Sequence, residues 1–186
     1  MSDVTYHDLG IPELYGCESF HYAPTGNIGV SVFNRKEAPH VSRIFWRRPE
    51  DKKYSMIPVA DENHSLDSCF PSISSETVYY TLMHWKKPEG HKSFGGHWVS
   101  LNSFCLKTKT EKVLVSPINL EEMTGTKYPW ISKIVHISPM ESEIDVIAGI
   151  QRPEIEGRSE MEYAVYRLDL NQRKIVHRFS MSGVFI

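Results

Sequence analysis

The chain has little of what marks secreted, membrane or nucleic-acid-binding proteins. Its three cysteines, Cys17, Cys69 and Cys105, are widely spaced and form no C-x-x-C pair. Neither a disulfide framework nor a structural zinc site is therefore expected, and buried thiols in a reducing compartment are. No segment approaches the roughly 18 consecutive apolar residues of a membrane helix. The N-terminal MSDVTYHDLG lacks the basic stretch and apolar run of an export signal. Together these absences lead to the expectation of a soluble, cytoplasmic protein. Charge of one sign is missing too: 21 basic and 23 acidic residues are spread along the chain for a formal charge of −2. That leaves no electrostatic footprint for nucleic acid or an anionic membrane. Also missing are a P-loop, a G-x-G-x-x-G turn and a G-x-S-x-G nucleophile elbow.

What is present is β-structure. With 186 residues, 40% of them hydrophobic, the chain can bury a core and is expected to be one domain over 1–186. Short runs rich in β-branched and aromatic residues alternate with turn residues. They group into three units of four strands, over about 18–60, 68–118 and 131–181. The first unit has strands at Ser19–Ala23, Ile28–Phe33, Val41–Trp46 and Tyr54–Val59. Cys69–Ile73, Thr77–Met83, Trp98–Leu106 and Lys112–Val115 make the second, and Ile134–Ser138, Ile144–Ile150, Tyr163–Leu170 and Ile175–Phe179 the third. Thr5–Leu14 reads as a lead-in strand and loop. Asn119–Met123 reads as a single helical turn stopped by Gly125, and no longer amphipathic helix is visible.

Four-stranded antiparallel units in tandem are the blades of a β-propeller. The segments FHYAPTGNIGVSVF, FPSISSETVYYTLM and VHISPMESEIDVIAGI resemble the inner-strand, turn and second-strand signature of TolB-like propellers, neighbours of the WD40 class. AVYRLDLNQRKIVHRF and NSFCLKTKTEKVLV resemble the signature of the last two strands. The resemblance spans Ser19–Ser180 and implies an all-β fold, a partial β-propeller of about three blades. It departs from the family in its partly kept Ser-Pro-Asp-Gly turns and its low blade number. A two-sheet sandwich is the rival all-β arrangement. Three blades do not close a ring, so the expected partner is a second copy, in a six-bladed dimer, or the rest of a longer propeller.

The loops divide into two ends. Short turns (Pro24–Asn27, Pro49–Lys53, Ser74–Glu76, Thr108–Glu111, Met140–Glu143, Asn171–Arg173) fall at one end. The long loops Arg35–Pro39, Lys86–Gly96 and Gln151–Glu160 fall at the other, with the linkers Asp61–Asp67 and Ser116–Trp130. Function is expected on the long-loop face. There Lys86, Lys87, Glu89, Arg152 and Glu154 repeat a cation, proline and carboxylate pattern suited to a polar ligand, and equally natural in any exposed loop. His91 lies in the same segment. Trp98 and Trp130 border it as stacking platforms for sugar rings or as packing anchors between blades. His84, His97 and His136 are the candidate ligands for a divalent metal, although their spacing matches no standard zinc pattern. The oligogalacturonate-lyase branch of the same propellers is similar in setting inner-strand histidines on a metal, and His136-Ile137-Ser138-Pro139 looks like its motif.

These features point first to a non-catalytic binding or assembly scaffold without a cofactor, engaging a polar ligand, a carbohydrate or a protein partner at the long-loop face. The alternatives are a metal-assisted lyase or hydrolase of acidic sugars and a lectin-like oligomer.

Overall fold

A computed structural model of the chain describes residues 15–23, 25–34, 42–57, 64–71, 76–84, 98–125, 129–151 and 161–180. They form three four-stranded antiparallel sheets and one helix. The first sheet holds β1 (Tyr15–Tyr22), β2 (Ile28–Asn34), β3 (Ser42–Arg47) and β4 (Ser55–Met56). In the second are β5 (His64–Pro71), β6 (Thr77–His84), β7 (Trp98–Cys105) and β8 (Thr110–Val115). The third follows helix α1 (Pro117–Thr124) and contains β9 (Trp130–Ile137), β10 (Glu143–Gln151), β11 (Met161–Asp169) and β12 (Lys174–Ser180). Each sheet is a meander in chain order, so the all-β expectation holds and the strands group in fours as the turn residues imply. The helix described is not long and apolar enough to cross a membrane.

The sheets stack rather than pair at their edges. β5 lies against β1, β2 and β3, and β9 lies against β5, β6 and β7. The second sheet is the middle layer, and its sequence shows why. In TVYYTLMH the even residues Val78, Tyr80 and Leu82 join Ile44, Trp46, Ile57, Phe104 and Leu106 in the core facing the first sheet. Tyr79, one residue out of phase, joins Val99, Leu101 and the third sheet's Ile131, Ile134, Ile137, Ile144 and Val146 in the other core. Because side chains alternate across a strand, a strand buried on both faces must be apolar on both. Its few polar members need partners. Tyr80 and the Asn102 amide nitrogen both donate to one oxygen of Glu111.

Every first strand is bulged. Register shifts fall between Cys17 and Ser19 in β1 and between Leu66 and Cys69 in β5. In β9 they accompany Asp145/Val146 and Ile147/Ala148 of its partner. A bulge spoils the period-two pattern, which is why β1, β5 and β9 begin at Tyr15, His64 and Trp130, ahead of the expected Ser19, Cys69 and Ile134. Part of the expected Asp61–Asp67 linker is thus strand. The Ser116–Trp130 linker carries α1, longer than the single turn expected. Ser116 caps it by accepting from the Asn119 backbone N–H, Pro117 opens it, and Gly125 ends it at φ 66°. Its Leu120 is buried between the second and third sheets. The lead-in Thr5–Leu14 lies outside the described residues.

Three contacts gather the hairpin turns at one end of the stack. Arg48, after β3, bonds Glu76, before β6, at 3.1 Å. Tyr79 donates to Glu141 in the β9–β10 turn at 2.7 Å. A Cβ added at Gly26 would lie 2.6 Å from Cγ of Pro49, so the two hairpin turns of the first sheet are in contact. Gly26 also needs φ 87°, a region closed to most L-residues. Lys109 (φ 57°) and Arg173 (φ 50°) hold left-handed positions without being glycine. Gly26→Ala is therefore expected to lower unfolding stability by about 2 kcal/mol. Arg173→Gly should raise it by about 0.5–1 kcal/mol, as relief of the left-handed penalty outweighs the added chain entropy. Urea midpoints for the two variants should move in opposite directions.

Candidate functional site

An open cleft of about 710 Å³ lies at the turn end, between the first and second sheets. Trp46 and Leu106 give it an apolar wall, and Arg48, Glu76, Thr77, Cys105, Lys107 and Lys109 complete the lining. Trp46, next to last in β3, is buried, only 5% exposed, with Lys109 Nζ at 5.3 Å and the Arg48 guanidinium at 5.9 Å from its ring centre. Arg48 is largely committed: its Nε donates to Asp51 at 3.0 Å, its Nη1 to Glu76 at 3.1 Å, and Glu50 stands 3.3 Å away. The hydrogen bond and charge of Asp51 hold the guanidinium more basic than usual. The same pairing pulls Asp51 below its ordinary value. Lys107 and Lys109, which also line the cleft, are both exposed on the β7–β8 turn.

Cys105 ends β7 at the floor of that turn and is partly exposed, so the expectation of buried thiols does not hold for it. Its thiol is held below the usual range, first by the Thr108 hydroxyl and then by the backbone N–H groups of Thr108 and Lys107. Burial and the Glu76 carboxylate oppose the shift. Thr108 and Thr110 share a hydrogen bond of 2.7 Å. If Thr110 supplies that proton, the Thr108 proton is left for the sulfur. The turn itself closes through Lys109 N–H to the Cys105 carbonyl at 2.9 Å.

The third sheet repeats this turn with a different acceptor. Leu170, Asn171, Gln172 and Arg173 follow Asp169 as Leu106, Lys107, Thr108 and Lys109 follow Cys105, and the fourth residue has positive φ in both. There the Asp169 carboxylate accepts the backbone N–H groups of Asn171 (2.8 Å) and Gln172 (2.7 Å). The turn is thus a small concavity of N–H groups that holds a negative charge at its first position. In the second sheet that position is a sulfur.

The residues expected at the long-loop end fare unevenly. Lys86, Lys87, Glu89, His91, His97, Arg152 and Glu154 lie outside the described residues. Trp98 opens β7 directly across from His84. Trp130 is half-buried and packs against the core between the second and third sheets, as an anchor does. His84 Nε2 is bonded to Ser100 Oγ at 2.9 Å. By alternation it shares the face of Leu82, toward the first sheet. His136 lies across from Asp145, with Nδ1 3.6 Å from the carboxylate, on the face of the third sheet turned away from the second. The fold therefore does not bring His84 and His136 together. Among the described residues no group of three His, Cys, Asp or Glu side chains could hold a metal.

No protein-family model matches the chain, and no curated protein matches it. The cleft rests on its geometry alone. Its residues were open to sequence reasoning at one point: CLKTKT aligns with DLNQRK, which puts Cys105 where the other copy has a carboxylate. The contribution of Trp46 and Arg48, from a different sheet, had no such signal. Alkylation of Cys105 should therefore reach half its maximal rate at a pH below that of a small free thiol run alongside. Thr108→Val should move the midpoint upward, and a midpoint equal to that of the free thiol contradicts the turn's role.

Proposed function

We propose that the protein is an assembly scaffold of the propeller type, in which two copies complete one ring of six blade-like sheets. The observation that carries this reading is the asymmetry of the stack. The middle sheet is covered on both faces, whereas the end sheets carry aromatic rows on their outward faces. On the third sheet, Tyr163 is 42% and Phe179 43% exposed, with Ile147 and Val165 beside them in register. On the first sheet, Phe20, Val30, Phe45 and Met56 form one row across all four strands, with Phe20 50% and Met56 48% exposed toward its ends and Val30 buried within it. Phe45 and Met56 alternate with Ile44 and Ile57, which face the second sheet, so this row faces outward.

Within the chain, each sheet after the first lays its opening strand across the sheet before it. The third sheet of one copy and the first of another can meet in the same way, and a twofold axis makes that contact twice and closes it. Six sheets fall inside the range of about four to eight seen in closed rings. Electrostatics permit the burial. Asp145, in the outward face of the third sheet, receives Arg167 at 2.7 and 2.9 Å, so covering that face does not strand a lone carboxylate. The ring would present the long loops of both copies on one face, where a polar ligand or protein partner is met.

Light scattering on the full chain at low micromolar concentration should give twice the 21.4 kDa of one copy. Phe179→Asp should give a monomer with an unchanged circular dichroism spectrum. A monomeric parent chain would overturn the proposal.

A further inference from the structure

Contact between copies through the third sheet covers the Phe179 ring, and the groups around that ring make the contact depend on pH. One residue from each strand forms a row beside it: His136, Asp145, Arg167 and His177, in register from β9 to β12. Asp145 and Arg167 in the middle are paired at 2.7 and 2.9 Å, so their charges cancel. The two ends are imidazoles, a group that gains and loses its proton near pH ~6.5.

The two histidines have different neighbours. His136 has Nδ1 3.6 Å from the Asp145 carboxylate, so a proton there meets negative charge. His177 has Arg167 opposite it, and its ring stands edge-on to Phe179 with centroids 4.2 Å apart. The Arg167 guanidinium is 6.0 Å from the centre of the same ring. The nearby carboxylates are already engaged. Asp145 holds Arg167, Glu143 stands 3.9 Å from that guanidinium, and Asp169 accepts the N–H groups of its own turn. Of the other cations, Lys133 on β9 is opposite Ile147, Lys174 is opposite Asp169, and Arg178 lies over the ring of Tyr166 on the inner face. Helix α1 also meets β12 and carries Glu121 and Glu122, but its Leu120 places it in the core on that inner face.

Covering Phe179 therefore takes water from His177 as well. Desolvation disfavours a charged imidazole, and a neighbouring guanidinium disfavours it further. The opposing face adds like charge, because Arg43 and Arg47 flank Phe45 on β3 and by alternation share its outward side. We propose that His177 is a pH switch on self-association: neutral, it lets the third sheet of one copy meet the first sheet of another, and protonated, it keeps them apart. This rests on the assembly proposed above. A separated copy binds the proton better than an assembled one, so association is complete above about pH 7.5 and is lost as the pH falls through ~6. A twofold dimer contains the contact twice and takes up two protons on parting.

Sedimentation equilibrium of the full chain at constant ionic strength, at about pH 8 and about pH 5.5, gives a dissociation constant at each. It should be about a hundredfold larger at the lower pH, one tenfold step for each imidazole about one unit below its midpoint. His177→Gln should dimerise with little difference between the two conditions, and His136→Gln should keep the hundredfold rise. A parent chain that is monomeric at the higher pH overturns the assembly and the switch with it. A parent dimer equally tight in both conditions overturns the switch alone, as does a rise that survives His177→Gln or disappears in His136→Gln. Failure of His177→Gln to dimerise at the higher pH overturns it too, because a neutral side chain there should permit the contact.

Discussion

Burial of the second sheet on both faces is the constraint on which the rest of the structure depends. It forces β6 to be apolar at consecutive positions, with Val78, Tyr80 and Leu82 turned one way and Tyr79 the other. The third sheet, by contrast, carries the Asp145–Arg167 pair on the face turned away from the second. The polar groups that remain inside are tied down at the boundary. Tyr80 and Asn102 meet on Glu111, and Tyr79 reaches the turn of the next sheet at Glu141. Burial and these carboxylates push both phenols well above their ordinary range, so both remain neutral donors across the physiological pH range. Each tyrosine thereby serves as packing for one core and as a hydrogen-bonded tether at its edge.

The two hairpin turns after β7 and β11 show how one backbone device takes on different chemistry. Both place a left-handed residue fourth after their first position, and in the third sheet two N–H groups turn back on the side chain at that position. With Asp169 the device is a turn-stabilising carboxylate. With Cys105 it becomes a lowered thiol opening on a cleft whose far wall, Trp46 and Arg48, comes from another sheet. The chemistry arises from the stacking, because the first unit alone has no thiol there and the second has no aromatic wall.

How much was legible in the sequence follows from how local each feature is. Strands such as Thr77–His84 and Glu143–Gln151 were visible because β-branched and aromatic residues recur with period two between turn residues. The first strands were read short because their bulges break that period at Ser19, Cys69 and Ser132. The helix extends beyond its legible part because Ser116-Pro117, a cap and first-turn pair, has the composition of a linker. The candidate histidines failed to converge for a geometric reason: His84 and His136 sit on strands of different sheets and on faces that point in different directions, which spacing along the chain cannot report. The cleft needed the contact between Trp46 and the Cys105 turn, which joins residues far apart in sequence.

The outer edge strands carry a consequence of their own. β4 is two residues long, β8 opens with Thr110, Glu111 and Lys112 exposed, and β12 exposes Lys174, His177 and Arg178. Each free edge is either too short or too charged to template another strand. Addition of chain by hydrogen-bonded edge growth, the route toward fibres, is thus obstructed at these three edges, while Phe20 and Met56 of the first sheet and Tyr163 and Phe179 of the third stay exposed. Edges of this kind work against ladder extension, which has no natural end.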